Sequence, residues 1–297
     1  MSRIVVTGAS GFVGRGIVPA LGEAGHDVVA IVRAPPQPGV LLPDVETCMV
    51  PDLADPGGLL AEACRGAAMI VHLADNPERT EHGNRSEALA RAVAAAATQA
   101  GVGRIDFASS IYATLDEQGR ASDYGAGKRA AERVLSALYG VDTVSLRLPP
   151  VYGPGGKGGF ALVAKLAQTG WPLPFGKAHA PRDYLSRTNL ARLVVALAAV
   201  DDRAFAAAAA QVWEPSDGSG VSTAELARAV GRVTGRPVRL VPVPPGLLAV
   251  VAALAAKREG AEAVFAPLAT RDDGELQRLV GWRPEADLDT NLGWLRG

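Results

Sequence analysis

"TGASGFVGRGI", residues 7–17, follows directly on the apolar run "RIVV" and decides how the rest of the chain is read. Gly8, Gly11 and Gly14 recur at every third position. Glycines so placed permit a sharp turn, let backbone N–H groups approach a pyrophosphate, and let the next helix pack on the strand just left. Coming at the end of a first strand pattern, this G-x-x-G-x-x-G run is a relative of the G-x-G-x-x-G dinucleotide fingerprint. Gly8, Ser10, Gly11, Phe12, Val13 and Gly14 are its candidate cofactor-binding residues.

The pattern around the loop agrees with it. "RIVVTGA" (3–9), "DVVAIVR" (27–33), "MIVHLA" (69–74), "RIDFASS" (104–110) and "TVSLRLPP" (143–150) are short apolar runs rich in β-branched residues. Segments with apolar residues at helical spacing separate several of them, such as "GRGIVPALGEAG" and "SEALARAVAAAATQAG". Near-continuous apolar strands alternating with helices imply a parallel sheet covered on both faces. The expected fold is α/β, a Rossmann doubly wound parallel sheet with a smaller C-terminal substrate lobe. Residues 1–150 are assigned to the dinucleotide-binding domain, with 184–211 returning to it. Residues 151–183 and 212–297 are assigned to the smaller lobe. There "VYGPGGKGGF" is a glycine-rich loop, and "VSTAELARAVGRVTG" is a helix opened by the capping-box pair Ser222 and Glu225. The alanine-rich stretch 204–211 reads as a helix end or connector.

Bulk properties narrow the function classes. The chain has 297 residues, 48% hydrophobic content and a net charge of −1, which suits a large core and points to neither nucleic acid nor an anionic membrane. Cys48 and Cys64 make no disulfide framework, and His26, His72, His82 and His179 form no metal-ligand cluster. The apolar stretch 244–260 is too short to span a bilayer, and no cleavable leader precedes the first strand. A reduced, cytoplasmic protein is expected.

The end of the second strand selects between cofactors. A carboxylate there would bind ribose hydroxyls, whereas an arginine accommodates a 2′-phosphate. The strand ends "AIVRAPPQP", so NADP(H) is expected in preference to NAD(H), with Arg33 facing the phosphate; NAD(H) stays possible. Asp52 and Leu53 end the third strand, where an adenine ring could rest.

"SDYGAGK" (122–128) places Tyr124 four residues before Lys128, on one helix face. The spacing alone fits a proton-transferring pair or two solvated side chains. Together with "TGASGFVG", "DL" (52–53), "VHLA" (71–74), "FASS" (107–110), "RLPPVYGPG" (147–155), "RDY" (182–184) and "GWRP" (281–284), it resembles the extended short-chain dehydrogenase/reductase family of NAD-dependent epimerases and dehydratases. The resemblance is nearest to the branch that reduces or epimerises 4-keto nucleotide sugars. It implies a catalytic set of Ser110, Tyr124 and Lys128, with Ser109 the neighbour that strand alternation points to the opposite face. It also implies cofactor contacts at Leu73, Ala74, Pro149 and Val151 besides Tyr124 and Lys128, and substrate contacts at Ser110, Lys157 and Arg182. Tyr124 would donate or accept the proton at the substrate oxygen, with Lys128 and an oxidised nicotinamide lowering its pKa from about 10.

Several departures bear on the substrate. Pro150 stands where many sugar epimerases have asparagine, and Gly159 precedes Phe160 where a polar residue is common. Thirteen residues separate Ser110 from Tyr124, and "DNPERTEHGN" (75–84) is a short connection. Gly127 replaces a serine. These features imply a more open pocket than in a typical sugar epimerase. Two alternatives follow: a carbonyl reductase of a non-nucleotide substrate, and a non-catalytic NADP(H)-binding sensor, against which the Tyr-Lys pair argues. The family commonly dimerises through two helices, here matched by "ALARAVAAAATQA" and "KRAAERVLSAL", so a homodimer is expected.

Overall fold

A computed structural model describes residues 1–41, 44–54, 57–75, 85–120, 122–218, 220–244, 266–271 and 274–296. All but the first residue of the apolar stretch 244–260, all but the first of the connection 75–84, and His82 therefore lie outside the described residues. The chain divides into two compact units. Unit 1 holds residues 1–148, 190–215 and 272–283; unit 2 holds 149–189, 216–271 and 284–297.

Unit 1 is a parallel sheet. Its strands are β1 (Arg3–Thr7), β2 (Asp27–Val32), β3 (Glu46–Met49), β4 (Met69–His72), β5 (Arg104–Ser110) and β6 (Asp142–Leu148). Val212–Trp213, which the sequence assigns to the smaller lobe, pairs in parallel with Ser145 and Leu146 of β6 and completes this sheet at its edge. The order is β3-β2-β1-β4-β5-β6 followed by that edge strand. Chain order reverses between β1 and β4, and at such a switch point the carboxyl ends of two strands open a crevice.

The central strands β1, β2 and β4 are mostly apolar and buried because helices cover both faces, whereas the edge strand β3 is polar and largely exposed. Val5, Val29, Ile70, Ile105 and Phe107 are buried in one cluster with Leu89, Ala90, Val93 and Ala97 of α3 (Arg85–Ala100) and Ala131 and Leu135 of α5 (Asp123–Ser136). The other helices of the unit begin with α1 (Gly14–Glu23) and α2 (Leu59–Ala63). α4 (Ile111–Glu117) starts at once after β5, with Ser110 as its N-cap.

Unit 2 has its own core. β7 (Val151–Tyr152) pairs with β8 (Leu185–Ser186). Phe160, Val163 and Ala164 of α6 (Gly159–Ala167) pack with Tyr152, Tyr184, Leu226 and Val230. α7 (Arg187–Ala199) leads from β8 back into unit 1, where the alanine-rich stretch forms α8 (Asp202–Ala209) behind an Asp201 cap. The capping-box helix is present as α9 (Thr223–Thr234), with both reciprocal bonds of Ser222 and Glu225 and a left-handed Gly235 at its end. Among the described residues, no helix is long and apolar enough to cross a membrane.

Candidate active site

The glycine loop sits at the switch point. Gly8, directly after β1, has φ 70°, and a Cβ there would lie 2.8 Å from the Ala74 nitrogen. No side chain fits, so the turn presses backbone to backbone against the end of β4. The Gly11 N–H donates to the Gly8 carbonyl at 2.9 Å, and Val13 precedes Gly14 as the cap residue of α1.

A cleft of about 260 Å³ opens beside this turn. Gly8, Ser10, Gly11, Arg33, Leu53, Leu73 and Ala74 line it, as do Ile31, Val32 and Val50 from the strand ends. Phe12, Val13, Gly14 and Asp52 do not. Asp52 instead pairs with Arg85 at 3.3 Å, and Arg85 is a second guanidinium in the lining that the sequence reading missed. The combination of bare backbone, apolar walls and arginine suits the pyrophosphate and adenosine of a dinucleotide.

A serine, a tyrosine and a lysine meet at the carboxyl end of β5. Strand alternation turns Ser109 inward, where its hydroxyl donates to Glu132. Ser110 faces the other way: its Oγ accepts from the Tyr112 N–H at 3.3 Å, and its side chain acts on the Tyr124 hydroxyl. Ser122 caps α5 by accepting from the Gly125 N–H at 3.0 Å, which starts the helix one residue before Tyr124. One turn on, the buried Lys128 ammonium donates to the Ala108 carbonyl at 2.7 Å and pairs with Asp75 at 2.8 Å. It lies 5.9 Å from the centre of the Tyr124 ring.

The electrostatics add burial to the influences expected on Tyr124. Lys128 and Ser110 do favour the Tyr124 phenolate, but burial outweighs them and Asp75 and Tyr112 oppose them. The Tyr124 hydroxyl is held above its ordinary pKa, so it is a protonated phenol at neutral pH.

Gly125 is another residue whose role was not legible. A Cβ there would stand 2.3 Å from the Tyr112 carbonyl oxygen, so the start of α5 touches the backbone of α4. That contact sets the depth at which Tyr124 enters.

The remaining candidates belong to unit 2. Pro149 is buried and Val151 starts β7; Lys157 is exposed in the turn before α6. Arg182 is buried, and its Nη1 donates to the Ala266 carbonyl.

A doubly wound sheet with a glycine cradle at its switch point defines a dinucleotide-binding fold. The model of the NAD dependent epimerase/dehydratase family matches residues 4–207, and the chain belongs to that family. It is therefore an NAD-dependent enzyme of the epimerase/dehydratase type. It is 29% identical to the UDP-glucose 4-epimerase of Vibrio cholerae over 96% of this chain and 92% of that one. It is 36% identical to the ceramide reductase of Caulobacter vibrioides, over 51% of this chain and 47% of that one. Among solved structures, the UDP-N-acetylglucosamine 4-epimerase of Bacillus cereus superposes with a TM-score of 0.75 at 18% identity, covering 100% of this chain and 98% of that one. The UDP-glucose 4-epimerase of Thermus thermophilus, solved with NAD, gives 0.70 at 26% identity over 98% and 96%.

Proposed function

We propose that the chain is an oxidoreductase that reduces or epimerises a keto or hydroxyl carbon of a nucleotide sugar, with Tyr124 as proton donor and acceptor. The observation that carries this reading is the grouping of Ser110, Tyr124 and Lys128 at the end of β5. A bound nicotinamide dinucleotide supplies hydride transfer. Tyr124 holds the proton destined for the substrate oxygen, Ser110 orients that oxygen, and Lys128 holds its ammonium beside the phenol.

The cleft beside Gly8 and Gly11 takes the dinucleotide, and Arg33 favours NADP(H) over NAD(H) through a 2′-phosphate. Pro149 and Val151 are proposed as cofactor contacts, and Lys157 and Arg182 as sugar-nucleotide contacts. The buried Arg182 Nε makes no hydrogen bond among the described residues. Similarity to UDP-sugar epimerases over nearly the whole chain supports the substrate class.

The test is turnover of UDP-glucose and of 4-keto nucleotide sugars, with both cofactors, by wild type and by Tyr124→Phe. The variant should bind cofactor as before and lose turnover by about 10²-fold or more. Unchanged turnover would remove Tyr124 from the chemistry. A second reading, reduction of a non-nucleotide ketone, is favoured by Arg182 being engaged with Ala266 and by the likeness to a ceramide reductase. Turnover of simple ketones without any UDP-sugar activity would select it. A homodimer through the outer faces of α3 and α5 is part of the proposal, and light scattering at a monomer mass would exclude it.

A further inference from the structure

Asp75 is an acid with no part in the chemistry proposed so far. It follows β4 by three residues, lines the cleft, and has a side chain only 10% exposed. Its Oδ2 lies 2.8 Å from the Lys128 Nζ, and the Ser86 hydroxyl of α3 donates to its oxygens at 3.2 and 3.1 Å. Lysine has three ammonium hydrogens, and Asp75 and the Ala108 carbonyl engage two of them.

We propose that Asp75 is a positioning residue for this site: its carboxylate holds the Lys128 ammonium against the carbonyl edge of β5 and withdraws part of its charge from the Tyr124 hydroxyl. The proposal rests on the assignment of Tyr124 as the proton-transferring group. A lysine left alone beside a phenol would favour phenolate; a lysine paired at 2.8 Å favours it less. Tyr124 then starts as the acid. That is the form reduction of a carbonyl requires, whereas oxidation of an alcohol begins from phenolate. A ribose diol at Lys128 would compete with Asp75 for the same ammonium, so occupancy of the cleft and the proton on Tyr124 become linked.

Among the described residues, the groups facing this pair are these. Ser110 acts on Tyr124 from the end of β5, and Tyr112 approaches it from α4 with ring centres 5.9 Å apart. His72 of β4 is fully buried, bonded to the Thr7 hydroxyl at 2.7 Å and pushed down to about 3, so it stays neutral across the range of interest. Arg85 lines the same cleft and is paired with Asp52. Among the described residues, Asp75 is the anion paired with Lys128.

The experiment reads Tyr124 directly, in cofactor-free protein. Ultraviolet titration of phenolate in wild type minus Tyr124→Phe gives the ionisation of this tyrosine, and the same difference is taken with Asp75→Asn. The midpoint should fall by about one pH unit in Asp75→Asn, and the alkaline limb of kcat against pH for carbonyl reduction should move down with it. Ser86→Ala, which leaves every charge in place but loosens Asp75, should shift both in the same direction by less. An unmoved midpoint in folded Asp75→Asn overturns the proposal. Should Asp75→Asn fail to fold, an unmoved midpoint in Ser86→Ala does the same. A shifted midpoint with full activity in Tyr124→Phe would keep the coupling and sink the functional reading instead, so the two failures are distinguishable.

Discussion

Arg147 holds Glu132 by two hydrogen bonds, Nε to Oε1 at 2.9 Å and Nη2 to Oε2 at 2.7 Å, in the buried layer between β6 and α5. The same guanidinium reaches both carboxylate oxygens of Glu117 at 2.7 Å. Glu132 in turn accepts from Ser109, the strand neighbour of Ser110. A single charged cluster therefore links α4 to α5 and the serine end of β5, the two elements that carry the candidate catalytic side chains. Burial opposes the charge on Arg147, but the hydrogen bonds and fields of the two glutamates outweigh it and hold the guanidinium more tightly protonated than usual.

The first prediction follows from that pairing. Glu132→Gln leaves a buried guanidinium partly uncompensated and should cost about 3 kcal/mol or more in denaturant unfolding. Replacing both partners, Glu132→Met with Arg147→Met, should cost less than either single change. If the double variant is the least stable of the three, the ion pair does not have the energetic character assigned to it.

Glycine substitutions should split in sign. Gly22 lies in α1 with nothing within 4 Å of the position an added methyl would take, so Gly22→Ala should gain up to about 1 kcal/mol from helix propensity. Gly125→Ala drives a Cβ to 2.3 Å from the Tyr112 carbonyl oxygen and should lose about 1–3 kcal/mol and much of the turnover. Thermal melts of the two proteins side by side decide this.

Asp106 gives a pH prediction. It is fully buried on β5, its Oδ1 has no hydrogen-bond partner among the described residues, and burial pushes its carboxyl up to about 7. Since the folded value exceeds the unfolded value of about 3.9, its contribution is complete below about pH 4 and is lost as pH rises to about 7. The loss is on the order of 4 kcal/mol. Asp106→Asn should therefore raise Tm clearly at about pH 8 and much less at about pH 5. An equal change at both values would mean that the carboxyl does not titrate as described.

Arg33 is exposed at the mouth of the cleft. Arg33→Ala should weaken NADPH binding by about tenfold or more and leave NADH binding nearly unchanged, as fluorescence titration would read. Equal weakening of both cofactors would place Arg33 away from the 2′-phosphate.

The sequence by itself determined the elements whose logic is local. Apolar, β-branched runs marked the first strands, glycine spacing marked the turn after β1, and the Ser222–Glu225 box marked α9. The i,i+4 spacing put Tyr124 and Lys128 on one face, and alternation separated Ser109 from Ser110. What lay beyond it were relationships between residues distant in the chain. Asp75 meets Lys128 because β4 and β5 are neighbours in the sheet, and no periodicity in either segment reports that adjacency. Residues 212–213 are too short an apolar pair to read as a strand, and only hydrogen bonds from β6 make them one. The pKa of Tyr124 is of the same kind: its Lys128 and Ser110 partners were visible in the sequence, but the burial that outweighs them is a property of packed tertiary structure alone.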